Sequence, residues 1–233
     1  MRHLTLILVV GTLFACSGQE SGKHLFILSG QSNMVGMRPA ESFAPKVEAA
    51  LGKDRVIIVK SAYGGQPIRR WYRDWRPATG NEPQAQPDLF DSLMLKVHGA
   101  IGDENIASIT FVWMQGERDA RESLGEVYER SLLGLHEQLC DELSRPDINM
   151  VIGRLSDFDM QNERYPHWTM VREAQVSVSD ASPRFAWVDT DDLNDGTNRQ
   201  GKSITNDLHL SAEGYKALGE RFALQSLELI GEE

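Results

Sequence analysis

The stretch HLFILSGQSNMVGM, residues 24–37, decides the fold and points to a site. Its apolar run at 25–28 is typical of a buried β-strand, and Gly30 ends that run in a polar turn. Ser32 follows at once. A serine just past the carboxyl end of a buried parallel strand lies where open α/β sheets build their sites. Backbone N–H groups at the start of a following helix could stabilise an oxyanion there, although serine and asparagine are also ordinary helix caps.

Apolar, β-rich runs recur along the chain and alternate with segments of helical period. The runs cover residues 25–28, 56–59, 106–113, 148–155 and 185–188, and the helical segments cover 41–51, 88–101, 119–143, 168–178 and 211–230. This alternation predicts βαβ units and a parallel sheet covered on both faces. We therefore predict an α/β protein, a three-layer α/β/α sandwich with a mostly parallel sheet of about five strands in flavodoxin-like order.

Three further polar blocks fall next to predicted strands or helices. SAYGGQPIRRW (61–71) follows the second run, WMQGERDA (113–120) ends the third, and NDLHLSAEGY (206–215) leads into the last helical segment. The carboxyl ends of parallel strands meet at one edge of a sheet. We therefore expect these blocks to share one crevice with Ser32.

Together the four blocks resemble the SGNH-hydrolase superfamily, and within it the sialate O-acetylesterase and acetylxylan-esterase-like carbohydrate esterases. The resemblance extends from about residue 25 to the C-terminal helix. It implies a serine carboxylesterase that removes short acyl groups, above all acetyl, from an acylated carbohydrate. The reaction would pass through an acyl-enzyme and would need no cofactor.

The resemblance also implies roles for particular residues. Ser32 matches the nucleophile and His209 the base that activates it, because a serine hydroxyl is a weak nucleophile by itself. The backbone N–H groups of Ser32 and Gly65 would form the oxyanion hole. The side-chain amide of Gln115 would add a third donor, in place of the superfamily's usual asparagine.

The acid that orients His209 is open between two residues. Many superfamily members carry Asp three positions before the histidine, but this chain has Asn206 there and Asp207 one position later. Glu117 matches a glutamate that some related carbohydrate esterases use, while Met114 replaces a histidine that often precedes QGE. We favour Asp207 slightly, because a loop-borne aspartate next to the histidine is the commoner arrangement.

Substrate contacts are expected from two places. Gln31 and Asn33 flank the serine, and the segment IRRWYRDWR (68–76) is a basic, aromatic stretch in an acidic protein. From that segment Arg69 and Trp71 are the candidates, since aromatic rings pack on sugar faces and arginine binds carboxylates. The alternative is a solvated loop whose tryptophans pack inward.

The N-terminal residues are expected to be a targeting signal rather than part of the fold. Residues 1–15 are predicted as a signal peptide of lipoprotein type, Cys16 as the lipidated residue, 16–23 as a tether and 24–233 as the esterase domain. We therefore expect an exported protein held to a membrane through a lipid anchor, periplasmic or at the cell surface, or otherwise secreted.

Composition excludes other classes of partner. A net charge of −10 argues against nucleic acid, which requires clustered Lys and Arg. Neither a calcium-loop spacing nor a zinc motif occurs, so we predict no metal site and interpret the aspartates at 189–195 as a solvated loop.

Two rival functions stay open: a lipase-like or thioesterase-like SGNH hydrolase, and a non-catalytic glycan-binding surface protein on the same fold.

Overall fold

The computed structural model describes residues 22–231, in which strands and helices alternate. The strands are β1 (Lys23–Gly30), β2 (Val56–Ala62), β3 (Ile106–Met114), β4 (Asn149–Gly153), β5 (Phe185–Val188), β6 (Gly196–Thr197) and β7 (Ser203–Ile204). The helices are α1 (Ser32–Gly36), α2 (Phe43–Leu51), α3 (Asp88–Ile101), α4 (Glu117–Arg121), α5 (Tyr128–Leu143), α6 (Trp168–Asp180) and α7 (Ala212–Ile230).

Five strands form one parallel sheet in the order β2-β1-β3-β4-β5, which confirms the predicted flavodoxin-like architecture. The central strand β1 pairs on one side with β2 and on the other with β3. The last residue of β1, Gly30, lies in register with Ala62 and with Met114, the last residues of its two neighbours. The three polar blocks that follow these strands therefore start at the same level of the same edge.

Alternation along β1 divides the core between the two faces of the sheet. Leu25 and Ile27 pack into the cluster that α3, α5 and α6 cover, whereas Phe26 and Leu28 pack into the cluster under α2 and α7. All four side chains are fully buried. Each such burial contributes about 1.5–3 kcal/mol, so this strand alone fixes the layers on both faces.

Two local features differ from the sequence-based expectation. The helix predicted over 119–143 is interrupted between α4 and α5, where Ser123 takes a positive φ of 58° that no regular helix contains. The hairpin of β6 and β7 was not predicted. Its strands have two residues each, too few to show a period.

The predicted signal segment and Cys16 lie outside the described residues, so export and lipid anchoring stay predictions. Strand β1 begins at Lys23, the last residue of the predicted tether, and His24 is buried in the same strand. Within residues 22–231, no helix combines the length and apolar character needed to cross a membrane.

Gly30→Ala is expected to destabilise the protein, because a side chain at this position would collide with the backbone of β3. An added Cβ would lie 2.0 Å from the carbonyl oxygen of Met114, at a φ of +139°. We expect the free energy of unfolding, measured by urea titration, to fall by about 2–4 kcal/mol.

Gly99→Ala is the matched control for this substitution. Nothing lies within 4 Å of an added Cβ at this exposed position of α3, so alanine should stabilise the protein by about 0.5–1 kcal/mol. Wild-type stability in Gly30→Ala would contradict the account of this contact.

Candidate active site

Ser32 lies at the carboxyl edge of the sheet, as its sequence position predicted, and is the first residue of α1. The turn before it is fixed to both neighbouring strands. The N–H of Gln31 donates to the Met114 carbonyl at 2.9 Å, and the N–H of Tyr63 donates to the Gly30 carbonyl at 3.0 Å. The Ser32 side chain remains partly exposed, so a substrate can reach it.

The Gly64–Gly65 turn lies directly beside the serine. A Cβ placed on Gly64 would be 3.9 Å from the Cβ of Ser32, the nearest atom to it. Gly65 has a φ of +67°, which glycine adopts at little cost, and both residues are exposed. The backbone of this turn is therefore accessible at the serine, as an oxyanion-binding turn requires.

His209 lies in the loop that leads into α7, and this loop touches the serine turn. The side chain of Asn33 donates to the carbonyl of Leu208 at 3.1 Å, so the residues next to Ser32 and His209 are in direct contact. The helix itself starts at a capped position, since the Ser211 side chain accepts from the N–H of Gly214 at 3.0 Å. The histidine ring is about half exposed.

Asp207 is the carboxylate closest to His209. Its Oδ1 accepts the backbone N–H of His209 at 2.9 Å and lies 4.0 Å from the ring Nδ1. The second distance exceeds a hydrogen bond, but catalytic hydrogen bonds are often long in unliganded enzymes and tighten with substrate. Asn206 precedes it with a φ of +44°, a conformation that asparagine tolerates better than most residues.

A pocket of about 380 Å³ opens beside His209. The β6–β7 hairpin forms one wall, and the end of α1 and the start of α7 lie around the pocket. Its lining residues are Gly36, Asn198, Arg199, Gln200, Ile204, Asp207, His209, Leu210 and Tyr215. Arg199 is held in place by Glu41, to which both its terminal nitrogens donate, at 2.8 and 2.6 Å.

Glu117, the second candidate acid, is buried and faces Asn33 rather than His209. Its Oε1 accepts from the Asn33 side chain at 2.8 Å, and its Oε2 is buried with no hydrogen-bond partner among the described residues. Burial raises the pKa of this carboxyl to about 7, against hydrogen bonds from the backbone and Asn33 that favour the charged form. Asn33, a predicted substrate contact, is itself buried and bonded inside the protein.

Gln115 does not take the oxyanion-donor position that we predicted for it. Its side chain is fully buried, and its amide nitrogen lies 3.2, 3.0 and 2.6 Å from acceptors on Gln31, Gln66 and Asp119. An NH₂ group has two hydrogens, so these protein acceptors use both. Gln31 is also buried, and its Oε1 accepts from Gln115 and from the N–H of Arg118, while a substrate contact through its side-chain nitrogen stays a prediction.

Asp119 is a site residue that our interpretation of the sequence missed, although it stands in the quoted block QGERDA. Its Oδ2 accepts from Gln115 and, at 2.9 Å, from the N–H of Ile68, which follows the glycine turn. Burial raises the pKa of the Asp119 carboxyl to about 7. Asp119 and Gln115 therefore hold the chain segment that comes after Gly65.

The aromatic residues of segment 68–76 pack inward, which corrects the prediction that Trp71 contacts sugar. Trp71 and Trp75 are fully buried, and Trp71 makes an edge-to-face contact with Trp113 at 5.2 Å between ring centroids. The basic charge of the segment is largely balanced, since Arg70 pairs with Asp88 and Arg73 with Asp91 and Glu142. Arg69 is half-buried and stays a predicted substrate contact.

The aspartates after β5 form ion pairs instead of a free acidic loop. Arg154 and Arg172 both bind Asp191, Arg154 also binds Asp189, and Arg221 binds Asp192. Across the described part of the chain, no three His, Cys, Asp or Glu side chains cluster so as to hold a metal ion.

The parallel sheet, with the serine after β1 and the histidine loop before the last helix, has the α/β fold of SGNH-type esterases. The model of a carbohydrate esterase family, described as sialic acid-specific acetylesterase, matches residues 36–228. That range is most of the chain, and the protein therefore belongs to this family. The resemblance seen in the sequence is confirmed.

Solved structures share the fold at low sequence identity. A protein of Arabidopsis thaliana matches with a TM-score of 0.65 and 21% identity, covering 89% of this chain and 98% of its own. A carbohydrate acetylesterase of Xanthomonas citri matches with a TM-score of 0.65 and 16% identity over 89% of this chain, which spans 56% of that longer protein. The protein NanS matches with a TM-score of 0.59 and 13% identity, covering 90% of this chain and 97% of its own. Comparison with curated proteins gives no match.

Asp119→Asn is expected to change how stability depends on pH. Between the ordinary aspartate pKa near 3.8 and the raised value of about 7, the folded protein keeps a proton that the unfolded chain has released. The free energy of unfolding therefore falls as pH rises through this window, and asparagine removes that loss. Relative to wild type, the variant should gain about 2–3 kcal/mol between pH 5 and pH 8 in urea titrations.

Asp192→Asn is the control for this measurement. Its carboxyl is exposed, and hydrogen bonding to Arg221 lowers its pKa. Its contribution to the free energy of unfolding is therefore lost only at pH values below the window in which Asp119 acts. A stability difference between Asp119→Asn and wild type that is the same at pH 5 and pH 8 would contradict the burial argument.

Proposed function

We propose that this protein is a serine esterase that removes acetyl groups from carbohydrates, with acetylated sialic acid as the first substrate class to test. The observation that carries the proposal is the contact of three loops at one sheet edge. The glycine turn lies beside Ser32, and Asn33 binds the carbonyl next to His209. Family membership supports the ester and the carbohydrate.

The proposed ester hydrolysis uses Ser32 as the nucleophile and His209 as the base and acid. Ser32 Oγ attacks the acetyl carbonyl carbon while His209 takes the hydroxyl proton, and the backbone N–H groups of Ser32 and Gly65 stabilise the oxyanion. The carbon–oxygen bond to the sugar then breaks, and His209 returns the proton to the sugar oxygen. Water attacks the acetyl-serine by the same route, which releases acetate and restores Ser32.

The pocket beside His209 fits the sugar part of the substrate. Because His209 must protonate the departing sugar oxygen, the sugar has to lie on the exposed side of its ring. That side carries polar groups of the β6–β7 hairpin, including Asn198, Arg199 and Gln200. Polar groups of this kind suit hydroxyls better than an acyl chain, which favours a carbohydrate ester over a long-chain lipid or thioester.

Ser32→Ala tests the proposal. We expect kcat for an acetylated sugar to fall at least about 10³-fold with the protein still folded, because the nucleophile is lost. Acetate release is the measurement, with p-nitrophenyl acetate and octanoate as a second pair of substrates. Ser177→Ala on the exposed face of α6 is the matched control and should behave as wild type.

Three outcomes of these assays would contradict the proposed function, each in a different way. Retained activity in folded Ser32→Ala would refute the serine mechanism. Faster hydrolysis of the octanoate than of the acetate would indicate a lipase-like enzyme. Absence of all ester hydrolysis in the wild type would indicate a glycan-binding protein.

Asp207→Asn tests the acid partner. The proposal assigns this role to Asp207, whose Oδ1 lies 4.0 Å from Nδ1 of His209. A carboxylate there fixes the ring tautomer and stabilises the imidazolium, and its loss in a serine protease costs about 10⁴-fold in kcat. We expect a loss of that order in acetate release, against none for Asp103→Asn in an exposed loop. A loss below threefold would show that His209 works without Asp207.

A further inference from the structure

Asn33 is bonded to three different parts of the site at once. Its side-chain nitrogen donates to Glu117 at 2.8 Å and to the carbonyl of Leu208 at 3.1 Å, and its Oδ1 accepts the hydroxyl of Tyr215 at 3.0 Å. These partners come from α4, from the loop of His209 and from α7. One side chain next to Ser32 thus joins α4 and α7 to the loop that carries His209.

The three side chains of this network are buried, and Leu208, which contributes its carbonyl, is partly buried. Asn33 and Glu117 are 3% and 2% exposed, and Tyr215 is 7% exposed. The Asn33 amide has both hydrogens and its oxygen paired, so any other arrangement of it leaves a desolvated donor or acceptor, whereas Glu117 Oε2 has no partner among the described residues. The network is therefore suited to hold two loops at a fixed separation.

Glu117 decides which way the Asn33 amide points. With the amide as observed, both hydrogens meet acceptors and the oxygen meets the Tyr215 donor. If the amide turned over, its oxygen would face two acceptors, the Glu117 carboxyl and the Leu208 carbonyl. The carboxyl and the Leu208 carbonyl together thus select the amide orientation that binds the histidine loop.

We propose that Glu117 and Asn33 are positioning residues: Glu117 orients Asn33, and Asn33 holds the His209 loop at the distance from Ser32 that proton transfer needs. This inference rests on the proposed function of Ser32 and His209. It separates the two acidic candidates, because Glu117 acts through Asn33 while Asp207 is the carboxylate at the imidazole ring. In the described residues no hydrogen bond joins Glu117 to His209.

The test uses single and double substitutions that exchange the donor and the acceptor of the hydrogen bond between residues 33 and 117. Asn33→Asp removes the donor to Leu208 and sets two carboxyls against each other, so kcat for p-nitrophenyl acetate should fall by about 100-fold, the cost of a small misplacement. Glu117→Gln keeps an acceptor for Asn33 and should lose less than about tenfold. In the double variant the glutamine amide can donate to the new carboxylate at position 33, which removes the repulsion between two carboxyls but does not restore the donor to Leu208. We therefore expect a partial recovery, with kcat about threefold to tenfold above that of Asn33→Asp alone and still below wild type.

KM and a matched control separate positioning from loss of structure. Neither residue reaches the substrate pocket, so KM should stay within about threefold of wild type in each variant. Asn149→Asp is the control, since Asn149 is also buried and donates to one carbonyl, that of Leu229 at 3.2 Å, but at the amino end of β4. It should lower the melting temperature and leave kcat unchanged.

Two results would overturn the inference. One is an Asn33→Asp variant with kcat within threefold of wild type. The other is a Glu117→Gln variant with about 10⁴-fold loss and no rescue in the double variant, which would make Glu117 the acid partner. Activity in Ser32→Ala would instead refute the proposed function itself, so the two failures are distinguishable.

A second variant keeps the test decisive if Asn33→Asp does not fold. Tyr215→Phe removes the hydroxyl that donates to Asn33 and keeps the ring that packs beside Gly36. Because Tyr215 also lines the pocket beside His209, the readout is kcat for p-nitrophenyl acetate, which has no sugar to fill that pocket. We expect this kcat to fall about threefold to tenfold, as for loss of one supporting hydrogen bond. Wild-type kcat in Tyr215→Phe would then overturn the inference.

Discussion

The close contact between the ends of β1 and β3 is the constraint on which the site depends. At Gly30 the backbone comes so near to Met114 that no side chain fits, and the N–H of Gln31 bonds the Met114 carbonyl directly. This contact ends the strand, turns the chain and sets Ser32 at the level where β2 and β3 also end. The serine, the glycine turn and the QGE block meet because three strands stop in register.

Around this contact the protein places a layer of buried polar side chains instead of an apolar core. Gln31, Gln115 and Asp119 support the segment after the glycine turn, while Asn33 and Glu117 support the histidine loop. Two carboxyls in this layer, those of Glu117 and Asp119, have no cation at hydrogen-bond distance among residues 22–231, and burial raises the pKa of each to about 7. Such a layer is costly unless its members are paired, which is why one substitution in it should affect the geometry of the whole site.

The fold could be predicted almost completely from the sequence, and the roles of the polar residues only in part. Runs of apolar residues locate β1 to β5, and helical period locates α3 and α7, because burial leaves a strong pattern. No comparable pattern tells whether a glutamine or asparagine at a strand end points to solvent or into the protein. For this reason Gln31, Asn33 and Gln115 were expected at the substrate, but their side chains are buried in the protein.

Trp71 was expected on a surface and fills the space beside Trp113 instead. The hairpin of β6 and β7 was invisible because its strands are too short for a period.

The central claim is that Ser32 is a nucleophile activated by His209 at this sheet edge. The most direct measurement is covalent labelling of the whole protein with a fluorophosphonate, followed by mass spectrometry of its peptides. The account predicts a single adduct on Ser32, formed at least about 100-fold more slowly when His209 is replaced by alanine, because the base is lost. An adduct on another residue, or equal labelling rates with and without His209, would contradict it.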